Sequence, residues 1–227
     1  MPSFSPTRPE EAVTPETWTM IGQVNVSSVS DGLHARGYHQ QVMRFDIQAL
    51  HPGSRVCGIA RTVLSRPLVD APEQGREYEM LFAAIDGLQP GQVLVTDRTD
   101  CCVWGELCSE AAIHRCGNGA VIDGFTRDSA EINQLGFPLF CRGRHLSDML
   151  YHRTITGLDE PILCGDVAVH PGDLVLGAED GVVVVPRGLI ENVVQEAFEK
   201  SATEFKVRNA LRQGMSASDA YRRFGVL

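Results

Sequence analysis

The segment GELCSEAAIHRCGNGAVIDGFTRDSAE, residues 105–131, decides the fold and carries most of the candidate chemistry. Twenty residues separate Glu106 from Arg127-Asp128, and two more separate that pair from Glu131. Between them lies the apolar run 120–124, which is typical of a buried strand. We expect these charged side chains to converge only if the fold brings the start of a helix next to the end of a strand.

Length, composition and the absence of a linker predict a single domain, and the pattern of helices and strands predicts the α/β class. The chain has 227 residues, 43% of them apolar, and no linker-like stretch, so we predict one domain over 15–227 after a loose polar arm at 1–14. The net charge of −9 argues against a nucleic-acid partner. Because we find no membrane-spanning apolar run and no signal peptide, we expect no membrane partner and a cytoplasmic location. Seven cysteines without a C-x-x-C motif indicate reduced thiols that are mostly buried.

Hydrophobic spacing predicts alternating helices and strands, with most strands in the second half. We also expect Ser30 or Asp31 to cap a further short helix before Gly37. The helix over 105–115 is expected to place Leu107, Ala111, Ala112 and Cys116 on one apolar face. Predicted helices span 15–33, 76–88, 105–115 and 189–211, and predicted strands span 53–64, 92–97, 120–123, 137–141, 161–169, 174–176 and 181–185.

The charged residues of 105–131 suit a site for an anion and a hard divalent metal. The free amides at the start of the predicted helix, near Leu107 and Cys108, attract a carboxylate or phosphate. Arg127 can grip a carboxylate with two parallel hydrogen bonds. Asp128 can ligate Mg²⁺ or Mn²⁺, with Glu106 and Glu131 holding metal-bound water. The alternative is that Arg127-Asp128 closes a surface turn as an exposed ion pair, and spacing alone leaves the two readings nearly even.

Competing motifs are weak. Gly117-Asn118-Gly119 follows a helix and opens a strand, which is the reverse of a Rossmann loop, so NAD and S-adenosylmethionine are not expected. The chain has no H-E-x-x-H metal motif and no G-x-S-x-G nucleophile motif. Cys108 lies near a helix start, where a thiol pKa can be lowered, but no His or Asp partner is identifiable, so we assign it to the helix face.

Several ordered motifs resemble the RraA-like family, which includes regulators of ribonuclease E and class II 4-hydroxy-4-methyl-2-oxoglutarate aldolases. The resemblance runs from about Pro15 to the C-terminus. It implies a swivelling β/β/α-type domain with a long C-terminal helix, assembled as a homotrimer or hexamer with active sites between subunits. The motifs are Trp104-Gly105-Glu106-Leu107, 119–128, Gly136-Phe137-Pro138, Pro171-Gly172-Asp173 and 180–186.

The resemblance also implies a function. The intact Arg127-Asp128 pair matches the aldolases, whereas Glu106 stands where they typically have Asp. Glu204 matches an acid that they send into a neighbouring site, although alone it would indicate a surface pair with Arg208. The implied enzyme is a Mg²⁺- or Mn²⁺-dependent carbon–carbon lyase. It would release pyruvate from a small 4-hydroxy-2-oxo acid and decarboxylate oxaloacetate as a side activity.

In that enzyme Arg127 and the amides of Leu107 and Cys108 would hold the 2-oxo acid, and Glu106 and a neighbour's Glu204 would assist proton transfer. Two alternatives stay open. One is a non-catalytic protein that binds and regulates a ribonuclease or another partner. The other is a metal-dependent hydrolase, hydratase or isomerase that uses the same site on another oxo acid.

Overall fold

The computed structural model describes residues 13–70, 76 and 78–226, in which helices and strands alternate. The helices are α1 (Pro15–Ile21), α2 (Val26–Ala35), α3 (Glu79–Asp86), α4 (Glu106–His114), α5 (Ser129–Leu135), α6 (Ile190–Arg212) and α7 (Ala217–Phe224), with 3₁₀ turns at Met149–Tyr151 and Arg187–Leu189. The strands are β1 (Gln48–Ala49), β2 (Val56–Pro67), β3 (Gln92–Thr96), β4 (Cys102–Trp104), β5 (Ala120–Thr126), β6 (Leu139–Arg144), β7 (Arg153–Leu158), β8 (Ile162–Cys164), β9 (Val167–Val169), β10 (Leu174–Ala178) and β11 (Gly181–Val185).

Most of the described strands form one sheet that curls into a nearly closed barrel. Its order is β1-β6-β5-β3-β2-β10-β11, with β4 added beside β5 and β7 beside β2. The strands β2, β3, β5 and β6 are parallel, whereas β10 and β11 are antiparallel. Residues 41–49 close the barrel, because Val42 bridges to Val183 at one edge and β1 pairs with β6 at the other.

Side-chain alternation divides the core between the barrel interior and two helical layers. On β5, Val121 packs in the interior, while Ala120 and Ile122 pack in a cluster with residues of α3, α4 and α5. On β11, Val182 and Val184 face the interior, and Val183 and Val185 pack with α1, α2 and α6. Strands covered on both faces read as continuous apolar runs, which explains the uninterrupted valines of β11.

Asp123 is a buried carboxylate that ties β5 to the closing segment. It is 1% exposed, and its Oδ1 accepts a hydrogen bond from Arg44 Nη2 at 3.1 Å. Its Oδ2 accepts from the Gly165 amide at 2.8 Å, in the turn between β8 and β9. A buried charge is tolerated only when it is paired and hydrogen-bonded, so Asp123, Arg44 and this turn form one unit.

The predicted fold class is confirmed: the chain is a mixed α/β domain with a long C-terminal helix. The predicted helix 15–33 is wrong in its middle, because α1 stops at Ile21 and α2 begins at Val26. Ser30 and Asp31 lie inside α2 and cap nothing. The predicted strand 161–169 is the hairpin β8–β9, turned by Gly165 and Asp166 at positive φ.

Five of the described helices and strands, β1, β4, α5, β7 and α7, have no counterpart in the predictions. Most of the predicted arm, residues 1–12, lies outside the described residues. Of its last two residues, Val13 is buried and Thr14 caps α1 by accepting a hydrogen bond from the Thr17 amide.

Among the helices that the structure describes, none combines the length and apolarity needed to span a membrane.

Gly58 offers a test of barrel packing. A Cβ at this position would lie 2.5 Å from the Gly91 carbonyl oxygen and 2.8 Å from Val93 Cγ2, so β2 and β3 must separate to admit it. We expect Gly58→Ala to lower the free energy of unfolding by about 1–3 kcal/mol, measured by urea denaturation. Gly188→Ala is the matched control, because a Cβ there meets nothing within 4 Å. Equal stability of the two variants would contradict this packing.

Candidate functional site

The parallel pairing of β4 with β5 brings two strand-to-helix junctions together. Trp104 at the end of β4 is paired with Thr126 at the end of β5, and the Arg127 amide donates to the Trp104 carbonyl at 3.2 Å. The chain then enters α4 through Gly105 and enters α5 through Asp128. The predicted meeting of a helix start and a strand end is therefore what the fold provides.

Asp128 lies against the start of α4. Its backbone adopts a left-handed conformation with φ of 58°, which only a few non-glycine residues favour. This conformation turns the carboxylate toward the neighbouring junction, where Oδ2 lies 3.4 Å from the Glu106 amide nitrogen. A Cβ at position 105 would come within 2.9 Å of the same oxygen, so Gly105 leaves the space that the carboxylate occupies.

Arg127 is held between two acids. Its Nη2 lies 2.9 Å from Asp148 Oδ2, and its Nε lies 3.9 Å from Asp128 Oδ2. Burial alone would lower the pKa of the guanidinium, but the charge of Asp148, with smaller contributions from Cys102 and Asp128, outweighs it and raises the pKa. The side chain remains 41% exposed, so a permanent cation faces the solvent between two carboxylates.

Tyr78 and Asp148 complete the site, and neither was among the predicted site residues. The Tyr78 hydroxyl donates to Asp148 Oδ1 at 2.8 Å, and the same oxygen accepts from the Leu150 amide at 3.0 Å. Burial and the hydrogen bond to Asp148 raise the pKa of Tyr78 to about 12. Tyr78 therefore stays protonated at neutral pH as a fixed donor that orients Asp148.

These residues line a pocket of about 190 Å³ whose other walls are largely apolar. The thiol pKa of Cys102 is raised to about 11 and that of Cys108 is also raised, in both cases chiefly by burial. Burial thus raises the thiol pKa of Cys108 instead of lowering it, and neither thiol is favoured as a nucleophile at neutral pH. The lining comprises Tyr78, Leu81, Phe82, Cys102, Val103, Trp104, Gly105, Leu107, Cys108, Arg127, Asp128, Asp148 and Met149.

The predicted site residues are only partly brought together. Arg127, Asp128, Leu107 and Cys108 line the pocket, and at the start of α4 the Glu106 amide donates to Asp128 Oδ2. Glu106 is the first residue of α4 and is half-buried, whereas Glu131 is exposed in the first turn of α5, and neither lines the pocket.

Glu204 lies on another part of the molecule. It is on α6, which packs on α1, α2 and α7. Its Oε1 accepts from Ser28 at 3.4 Å and lies 4.0 Å from Lys200 Nζ, so its intrahelical partner is Lys200 instead of Arg208.

The predicted apolar face of α4 is also wrong. Ser109 and Ala112 are its buried residues, whereas Leu107 is 77% exposed and Ala111 is exposed. Leu107 therefore faces the pocket and solvent instead of the core.

The donors of the site suit a hard cation that keeps most of its water. Among the described residues, no three His, Cys, Asp or Glu side chains are close enough together to hold a metal ion. Asp128 has a half-exposed carboxylate that could be one ligand. Mg²⁺ is commonly bound through one or two carboxylates, with water and substrate oxygens completing the octahedron, so this arrangement fits Mg²⁺ or Mn²⁺ and does not fit a structural zinc.

Comparison with known proteins gives a consistent result. The family model described as RraA-like: Aldolase/RraA matches residues 26–184. A Halalkalibacterium halodurans protein, provisionally named a 4-hydroxy-4-methyl-2-oxoglutarate aldolase, is 34% identical over 77% of this chain and 80% of its own length.

Two further relatives share more of the chain or its structure. Protein DlpA of Legionella pneumophila is 26% identical over 96% of this chain, which spans only 36% of that protein. The crystal structure of Streptomyces coelicolor RraAS2, described as an unusual member of the RNase ES inhibitor RraA protein family, superimposes with a TM-score of 0.74. It shares 29% identity over 86% of this chain and 97% of the other.

The Tyr78–Asp148 hydrogen bond can be tested by ultraviolet titration of tyrosine ionisation. Between the ordinary tyrosine pKa of 10.0 and the raised value of about 12, Tyr78 should remain neutral. Tyr78→Phe should therefore leave the absorbance change around pH 10 unaltered. Asp148→Asn should move the ionisation of Tyr78 to lower pH, because it removes a negative charge and leaves burial as the main cause of the raised pKa. Loss of signal around pH 10 in Tyr78→Phe would contradict the assignment.

Proposed function

The chain belongs to the RraA-like family, and from this membership and its pocket we propose that it is a divalent-metal-dependent class II aldolase. The proposed reaction is cleavage of a 4-hydroxy-2-oxo acid, such as 4-hydroxy-4-methyl-2-oxoglutarate, to pyruvate, with decarboxylation of oxaloacetate as a side activity. The observation that carries the proposal is the Arg127-Asp128 pair at the start of α4, in a pocket of metabolite size.

The 2-oxo acid would be held by its carboxylate. Arg127 offers a planar pair of donors, and the Leu107 and Cys108 amides at the start of α4 add two more at the positive end of the helix dipole. Asp148 and Tyr78 fix the guanidinium, so little rotamer entropy is lost when the acid binds.

Cleavage requires a base that accepts the proton of the C4 hydroxyl and a group that stabilises the electron pair released from the C3–C4 bond. As that bond breaks, C4 becomes a carbonyl and the pair moves onto the pyruvyl fragment as an enolate, which later takes a proton at C3. A bound divalent ion would supply Lewis-acid stabilisation of the negative oxygen. Arg127 would stabilise the same charge, because the cation is already in place before the reaction. Glu106 would orient the water that accepts and returns the proton.

No lysine among the described residues lines this pocket to provide the amine of a Schiff-base mechanism. The chain contains two lysines, Lys200 and Lys206, and both lie on α6. Stabilisation of the electron pair by a cation, as in the class II mechanism, is therefore the route that the pocket's own residues support.

A regulatory protein is the alternative, and the description of the Streptomyces relative as belonging to an RNase inhibitor family supports it. The intact Asp128 argues against it. A half-exposed carboxylate that lines a pocket beside Arg127 can ligate a metal, and a surface used only for binding a protein has no need of such a ligand.

The metal dependence is tested at Asp128. Asp128→Asn should retain the fold, since Asn tolerates the left-handed conformation, and should lose pyruvate release by about two orders of magnitude or more. Asp166→Asn is the matched control, because Asp166 also has positive φ and is exposed. The assay measures pyruvate from oxaloacetate and 4-hydroxy-2-oxo acids with Mg²⁺, Mn²⁺ or EDTA. Full turnover in EDTA after dialysis would contradict the metal dependence. No turnover with any metal would favour the alternative of a regulatory binding protein.

We further propose that the active unit is a homotrimer or hexamer in which Glu204 serves a neighbouring subunit. Glu204 lies on α6, apart from its own pocket. The neighbouring residue on the same helix, Phe205, is 59% exposed. An interface between subunits would cover this large apolar side chain and bring Glu204 to another subunit.

Mixing two inactive variants tests this assembly. Glu204→Gln and Asp128→Asn should each be inactive alone. After co-refolding, about a quarter of the sites should combine an intact Asp128 with an intact Glu204 from the neighbour and regain activity. Asp128→Asn refolded alone in the same way gives the background activity. Failure of the mixture to regain activity, or a fully active monomer by light scattering, would contradict the shared site.

A further inference from the structure

The pocket continues into an apolar groove along the seam between α3 and α4. A second cavity, of about 120 Å³, shares Phe82, Leu107 and Cys108 with the pocket and extends to Ile85 and Ala111. Phe82 is 53% exposed and Leu107 is 77% exposed, so these large side chains form open walls and do not belong to the core. A ligand anchored at Arg127 therefore meets an apolar channel at its distal end.

The charges around this channel disfavour a second carboxylate. Among the described residues that line the pocket and groove, Arg127 is the only cation, and the acids are Asp128, Asp148 and Asp86. Asp86 lies at the far end, where Arg115 pairs with it at 2.9 Å. Arg76 borders a neighbouring cavity and pairs with Glu79. One carboxylate of a ligand is thus neutralised at Arg127, and a second would face apolar walls and like charge.

We propose that the site takes 2-oxo acids with one carboxylate and an apolar distal chain, alkyl or aryl, in preference to dicarboxylates. This inference rests on the proposed function for the reaction, but it concerns binding and can fail separately. Transfer of an alkyl chain into the groove is favourable, whereas burying an unpaired carboxylate among apolar side chains is costly. The substrate would then be a 4-hydroxy-2-oxo acid whose C4 substituent lies against Phe82 and Leu107.

The test compares the binding of 2-oxohexanoate and 2-oxoadipate, which have the same chain length and differ by a terminal methyl or carboxylate. Calorimetry with the full chain and Mg²⁺ should give at least about tenfold tighter binding of 2-oxohexanoate. Equal or tighter binding of 2-oxoadipate, or no binding of either acid, would overturn the inference.

A charge-introducing variant sharpens the test. Leu107→Arg keeps the backbone amide and places a cation at the groove, so it should tighten the binding of 2-oxoadipate by about tenfold and erase the preference. Leu163→Arg adds the same charge to the β8–β9 hairpin, where Leu163 is 57% exposed, and should leave the preference intact. An unchanged ratio in Leu107→Arg would contradict the placement of the chain in the groove.

Pyruvate release separates the two proposals. If an apolar 4-hydroxy-2-oxo acid is cleaved faster than 4-hydroxy-4-methyl-2-oxoglutarate, both stand. If the dicarboxylate is cleaved faster, the aldolase stands and the substrate class is wrong. If 2-oxohexanoate binds but no hydroxy acid is cleaved, the substrate class stands for binding and the aldolase fails.

Discussion

The parallel pairing of β4 with β5 is the constraint on which the site depends. β3 pairs with the first half of β5 and β4 with its end, so β4 continues the ladder where β3 leaves it. Because parallel strands end at the same edge, the chain leaves β4 and β5 in the same direction and starts two helices side by side. Arg127, Asp128 and the amides of α4 meet for this reason, although they are far apart in sequence.

Local signals in the sequence predicted much of the fold and the centre of the site. The valine run of β11 and the apolar run of β5 are covered on both faces, and such strands are recognisable from composition alone. Arg127 and Asp128 follow a buried strand, which placed them correctly at its end. The strand β4 was missed because it has three residues, Cys102–Trp104, too few to show a period.

The side chains that contact Arg127 could not be predicted from sequence patterns. Tyr78 precedes α3 and Asp148 precedes a 3₁₀ turn, and they meet only because α3 and this turn pack near the end of β4. A long-range hydrogen bond leaves no periodic trace in a single sequence. The face of α4 was misjudged for a related reason: the spacing shows that Leu107 and Ala112 are apolar, but it does not show which of them meets a neighbour and which lines a cavity.

The barrel is held together by fewer strand pairs along the closing segment 41–49 than along its other strands. Every other edge of the barrel is a ladder of several residues, whereas this segment holds one edge by the bridge at Val42 and the other by the two-residue strand β1. Its main additional anchor is the ion pair of Arg44 with Asp123. Detaching this segment breaks fewer strand pairs than separating β2 from β3, although it also removes the buried Met43 and Ile47 from the interior. We therefore expect local unfolding to begin at this segment, and the slowest-exchanging backbone amides to belong to β2 and β3 on the far side of the barrel.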